Sequence, residues 1–143
     1  MDLAYTETQD MLRDTLARFL SDNYSFDARQ KMIASPDGRD PGIWRALSAE
    51  LGLTCAPFAE EHGGMGGGAL ENMIMMEELG KVIAIEPWLQ TVVLGGGALK
   101  AVGGAKADEV IPQIIAGDEV PYSMLIPPMK VRDFNFTSLS DAV

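Results

Sequence analysis

The chain has 143 residues, 47% hydrophobic and 22% charged, which suits one globular domain and excludes a disordered one. A formal net charge of −10 and a pI near 4.4 repel phosphate backbones and anionic lipid, so neither nucleic acid nor membrane is an expected partner. The single cysteine, Cys55, excludes an intrachain disulfide and a thiolate metal cluster, and fits a reducing cytoplasm.

Met1 to Gln9 is polar and acidic, with no basic segment leading into an apolar run, so no signal peptide is expected. Thr6-Glu7-Thr8-Gln9 has the form of a capping box, and Leu12, Leu16, Phe19 and Leu20 follow at helical spacing, predicting a helix from Glu7 to Asn23. A shorter helix is expected over Phe26 to Ile33, broken by Ser35-Pro36-Asp37-Gly38. Asp40 followed by Pro41 starts a third, with Trp44, Leu47 and Leu51 on one face and Gly52 as its stop. Thr54 to Gly68 reads as a loop, and Ala69 to Leu79 as a fourth helix closed by Gly80. Leu70, Met73, Ile74, Met76 and Leu79 make that helix apolar on most sides, hence central.

A fifth helix is expected from Pro87 to about Val102. Its Gly95-Gly96-Gly97 weakens it, which implies that something approaches closely there. The apolar stretch Val82 to Ala105 is interrupted by Glu86, Pro87, Gln90 and Lys100, so it reads as buried helix and not as a membrane span. Lys106 to Ile111 begins a sixth helix, after which Pro112 starts a new turn ending at Gly117. No strand is expected before residue 120, while Tyr122 to Ile126 has the composition of one. The fold class is thus all-α, a bundle of about six helices over residues 1–120, with an irregular tail over 121–143.

Several motifs invite chemistry. Gly64-Met65-Gly66-Gly67-Gly68-Ala69 fits the loose dinucleotide pattern, but Ala56 to Glu61 before it is no strand and no βαβ unit follows. No Lys-Ser or Lys-Thr follows the glycines, which excludes a P-loop. The expected role is a tight turn with positive φ. His62, the only histidine, cannot supply the paired Glu-x-x-His set of a di-metal bundle, and reads as a turn residue. Adjacent carboxylates Glu77 and Glu78 point in different directions on a helix, so ion pairing is expected before acid–base work. No catalytic residue and no metal site are assigned.

In combination, Trp44, Leu51-Gly52-Leu53, Pro57, Glu61-His62-Gly63-Gly64-Met65-Gly66, Glu77-Glu78-Leu79-Gly80 and Ile111-Pro112-Gln113-Ile114-Ile115-Ala116-Gly117 resemble the N-terminal helical domain of the acyl-CoA dehydrogenase family. The stretch from Glu86 to Leu99 resembles the branch of pimeloyl-CoA dehydrogenase small subunits and related two-chain enzymes. The resemblance implies FAD-dependent α,β-dehydrogenation of an acyl-CoA. It also implies a middle β domain and a C-terminal helical domain that hold the flavin and the catalytic carboxylate. The helical domain would line the acyl pocket, through Glu86, Gln90 and Leu94.

Three domains need roughly three times this length. The expectation is therefore a truncated acyl-CoA dehydrogenase-like protein, inactive alone and binding no FAD by itself. The alternative is a helical interaction or oligomerisation module: a homo-oligomer, or the partner of a flavin-carrying chain.

Overall fold

The computed structural model describes residues 4–118, and among these every regular element is helical. The expected strand at 122–126 and the tail 121–143 lie outside the described residues.

Helix α1 (Glu7–Asn23) opens on the expected capping box. The Gln9 amide donates to Thr6 Oγ1 at 3.2 Å, and the Thr6 amide donates to Gln9 Oε1 at 3.0 Å. Leu12, Leu16 and Leu20 turn inward and pack along helix α4 (Ala69–Lys81). Helix α2 (Phe26–Ala34) is capped by Ser25 and buries no residue fully, so it lies on the outside of the bundle. Helix α3 (Pro41–Arg45) starts as expected, with Asp40 accepting from the Gly42 amide. It then widens into a π turn over Ala46–Glu50, closed by the Leu51 amide donating to Ala46 five residues back. The added residue shifts the helical phase. Trp44 and Leu47 are buried while Leu51 is 37% exposed, which corrects the expectation that all three share the core face. Gly52, at φ +64°, ends the segment.

Helix α4 runs through Gly80 instead of stopping there. Its C-terminus is a Schellman motif two residues on: the Ile83 amide donates to the Gly80 carbonyl and the Ala84 amide to the Leu79 carbonyl. The residue forced into the left-handed region is Ile83, at φ +52°. The helix is also less central than its composition suggests. Ile74, Met75 and Leu79 are buried, whereas Leu70 and Met73 are 41% and 48% exposed.

A second π segment, Leu89–Gly96, leads into α5 (Gly97–Val102), and α6 (Gly104–Ala116) follows. The close approach implied by the glycines is the ring of Phe58: a Cβ on Gly96 would fall 2.5 Å from its Cζ. Pro112 does not begin a new turn. It sits exposed inside α6, where the helix gives up one backbone hydrogen bond. Ile111 and Ile114, fully buried on either side, hold the helix in place. Trp44 and Trp88 meet edge to face at the centre of the core, ring centroids 6.5 Å apart.

Candidate functional site

The segment between α4 and the π segment positions the candidate residues. Because Ile83 is left-handed, the chain reverses sharply after α4, and two side chains from the α1–α2 corner hold the reversal. Arg29 Nε donates to the Ile83 carbonyl at 2.7 Å, and the Ile85 amide donates to Tyr24 Oη at 2.8 Å. The Tyr24 phenol is buried, and burial pushes its pKa upward, so it keeps its proton. Beyond the reversal, Trp88 is 1% exposed and its indole N–H reaches Asn72 Oδ1 on α4 at 3.3 Å.

Between the end of α4 and the π segment lies a cleft of about 440 Å³. Met76, Ile83, Trp88 and Leu89 give it an apolar lining, with Glu86 and Gln90 as polar members. Two of the three sequence-assigned pocket residues thus meet in one cleft. Leu94 stands one turn further along the π segment, 46% exposed, and is not part of that lining.

Glu86 is the unusual group. It is 8% exposed, and both carboxyl oxygens are sealed from solvent; no hydrogen bond to them is closed, although the Tyr24 hydroxyl and the Ile85 and Glu86 amides face the carboxyl. Burial raises its pKa; the nearby Tyr24 hydroxyl, backbone amides and the charge of Arg39 work in the opposite direction and are outweighed.

The carboxylates on α4 are accounted for. Glu78, buried, pairs with Lys81 at 2.6 Å, and Glu77 lies 3.4 Å from the same ammonium, so both serve ion pairing as expected. Burial acts to raise the pKa of Glu71, but hydrogen bonds from Gln9 and the Gly68 amide outweigh it and hold the carboxyl below its ordinary range. The Cys55 thiol donates to the Gly52 carbonyl at 2.9 Å and burial raises its pKa, which opposes thiolate chemistry. His62 lies in a short 3₁₀ turn, Glu60–His62, 3.9 Å from Asp108.

The glycine-rich loop has no donors to offer a phosphate. Six successive amides are engaged within the protein. Gly63 and Gly64 donate to Glu60 and Ala59, Met65 to Cys55, Gly66 to Phe58 and Gly67 to Ala56, all at carbonyls, and Gly68 donates to the Glu71 carboxylate. Gly63 and Gly66 take positive φ, as a tight turn requires. A side chain on Gly64 would collide with the Phe58 backbone. The loop is a knot built on itself and offers no free amide to a dinucleotide phosphate. Among the described residues, no group of three or more His, Cys, Asp or Glu is placed to hold a metal ion. No described helix is long and apolar enough to cross a membrane.

Residues 6–118 match the family model for the acyl-CoA dehydrogenase N-terminal domain. The chain belongs to the acyl-CoA dehydrogenase family. Its curated relatives include the acyl-CoA dehydrogenase IpdE2 of Mycolicibacterium smegmatis, 30% identical over 132 residues, covering 84% of this chain and 42% of the relative. The IpdE2 of Mycobacterium tuberculosis is 29% identical, covering 88% of this chain and 39% of the relative. The chain thus spans about two-fifths of the length of these acyl-CoA dehydrogenases. Among solved structures, the ChsE4–ChsE5 complex from Mycobacterium tuberculosis superposes with a TM-score of 0.73 at 26% identity, covering 82% of this chain and 32% of that one. The Tcur3481–Tcur3483 steroid ACAD gives 0.72 at 23% identity, covering 78% and 30%, a likeness of fold alone.

Three features of this acyl-CoA dehydrogenase domain escape sequence reading. The left-handed Ile83 carries no glycine signal. Arg29 and Tyr24 act across more than fifty residues, and no local pattern encodes their targets. The orphaned state of Glu86 depends on tertiary packing; only the run Ile83-Ala84-Ile85-Glu86-Pro87-Trp88, a lone acid in apolar company, hints at it.

Proposed function

We propose that residues 6–118 form the acyl-side wall of an acyl-CoA dehydrogenase site, against which the acyl chain of a CoA thioester lies while flavin-bearing domains remove its α-proton and β-hydride. The cleft at the end of α4 carries this reading. It is mostly apolar, it lies between the end of α4, the reversal at 82–87 and the π segment, and its polar members Glu86 and Gln90 are the positions that the family resemblance assigns to the acyl pocket. Leu94 extends the same wall along the π segment. The family resemblance assigns the flavin to other domains, and the glycine loop, its amides already engaged, offers it no phosphate cradle. On this reading the chain alone binds no FAD and dehydrogenates no acyl-CoA.

The test is direct. The purified chain is incubated with excess FAD, passed through gel filtration, and assayed for reduction of an artificial electron acceptor by acyl-CoA. The expected result is a colourless, inactive protein that gains dehydrogenase activity when a flavin-bearing partner chain is supplied. Stoichiometric FAD retention by the chain alone would overturn the reading.

A second reading, a helical interaction module, is favoured by a specific observation. Leu70, Met73, Leu89 and Leu94 are each more than 40% exposed, on the outer sides of two neighbouring segments. Light scattering separates the cases: self-association, or a stable complex with a flavin chain, supports this reading, and a clean monomer that binds no hydrophobic dye opposes it.

A further inference from the structure

Several cations of this acidic chain answer a nearby carboxylate: Arg13 pairs with Asp10 and Asp14, Lys81 with Glu77 and Glu78, and Lys106 with Glu109. Arg29 forms no ion pair among the described residues, and its Nε donates instead to the Ile83 backbone carbonyl at 2.7 Å. It stands on α2, which buries no residue fully and leaves Phe26 72% exposed. No fully buried side chain of α2 fixes its distance from the reversal, so this hydrogen bond is a specific tie between them. Ile83 is the one described non-glycine residue with positive φ, a conformation that crowds a β-branched side chain. Its side chain is 66% exposed, so burial does not compensate. Ile83 also lines two hollows, the acyl cleft with Met76 and Trp88, and a smaller one of about 290 Å³ with Arg29 and Phe26. Whatever sets its φ therefore sets one edge of the cleft and the direction in which Ala84, Ile85 and Glu86 leave α4.

Resting on the acyl-wall reading above, we propose that Arg29 is a positioning residue for acyl binding. It does not line the cleft and acts through Ile83. The hydrogen bond from its guanidinium stabilises the left-handed backbone, and that backbone gives the segment 83–90 the course that sets Trp88 and Gln90 along the cleft. A charged donor makes a stronger hydrogen bond than a neutral one, and a guanidinium stays charged throughout the ordinary pH range. The Schellman bonds to the Leu79 and Gly80 carbonyls close α4 around Ile83 but leave its own carbonyl unrestrained; Arg29 supplies that restraint. Without the guanidinium Ile83 relaxes, and the cleft loses its edge before the fold is lost, because α2 contributes no fully buried side chain to the core.

The experiment uses the full chain, with Arg29→Met, Ile83→Gly and the two combined, each shown to be folded by circular dichroism. One readout is the strong amide-to-Hα nuclear Overhauser cross-peak within residue 83 that marks a positive φ. The other is affinity for straight-chain acyl-CoA thioesters from butanoyl to dodecanoyl, followed by tryptophan fluorescence because Trp88 lines the cleft. The expected result is that Arg29→Met loses the cross-peak and binds the preferred thioester about fivefold more weakly, the scale of one hydrogen bond. Arg29→Lys, which keeps a charged donor, recovers part of that loss. Glycine takes positive φ without strain, so Ile83→Gly binds like the parent, and adding Arg29→Met to it changes affinity by less than about twofold. A cross-peak that survives Arg29→Met, an unchanged affinity, or the same loss in the Ile83→Gly background overturns the positioning role and leaves the acyl wall standing. Failure of every thioester to bind the parent overturns the acyl-wall reading and this inference with it.

Discussion

Replacing Glu86 by Met removes both orphaned oxygens while nearly preserving side-chain volume, so the cleft neither collapses nor overfills. A buried polar group without a partner costs about 1–3 kcal/mol. Glu86→Met should therefore stabilise the fold by roughly that amount, or raise Tm by roughly 3–5 °C per kcal/mol in a domain of this size. The gain should also depend on pH. Because burial raises the Glu86 pKa above its ordinary value of 4.5, the folded chain holds this proton more tightly than the unfolded one. The stability linked to the neutral form is complete below that ordinary value and is lost as pH rises through the folded pKa. The advantage of Glu86→Met should therefore widen from about pH 5 upward, by at most about 1.4 kcal/mol per pH unit. Glu71 has the opposite sign, stabilising above its ordinary range and failing as pH falls, and it is common to both proteins. Urea unfolding of parent and variant across this range measures the difference. A variant no more stable than the parent, or a difference flat in pH, would show that the Glu86 oxygens are satisfied and that the reasoning is wrong.

Other perturbations probe the frame around the cleft. Gly96→Ala drives a methyl into the buried Phe58 ring and should destabilise by about 1–3 kcal/mol despite the better helix propensity of alanine, read as a lower urea midpoint. Tyr24→Phe keeps the ring but leaves the Ile85 amide without its acceptor. It should cost about 1–2 kcal/mol and speed hydrogen exchange at Ile85 first. Ile83→Gly relieves a left-handed β-branched residue and should stabilise by about 1 kcal/mol; a clear loss of stability would mean that the exposed Ile83 side chain does more than line the cleft.

The elements that the sequence declares are those closed by local chemistry. α1 begins and ends where its capping box and apolar spacing require, and the Asp40–Pro41 start and the Gly52 stop hold because each is decided within four residues. The misplaced boundaries are those where packing overrides local signals. Gly80 looks like a stop, yet the helix continues until the Schellman bonds close at Ile83, held by Arg29 from α2. Pro112 looks like a break, yet burial of Ile111 and Ile114 carries α6 through it. Both π segments shift the helical phase without changing composition, so Leu51 is exposed against its periodicity. At the candidate site, Glu86 and Gln90 were legible only through the family resemblance. Their common cleft is created by the chain reversal at Ile83, which no motif marks.

The acyl-wall assignment is tested most directly by hydrogen exchange of the full chain, with and without a saturating acyl-CoA. The account predicts protection concentrated over residues 83–94, where the reversal, Glu86, Gln90 and Leu94 lie, with little change in the glycine loop at 63–68. Protection confined to that loop, or none in the 83–94 segment, would contradict it.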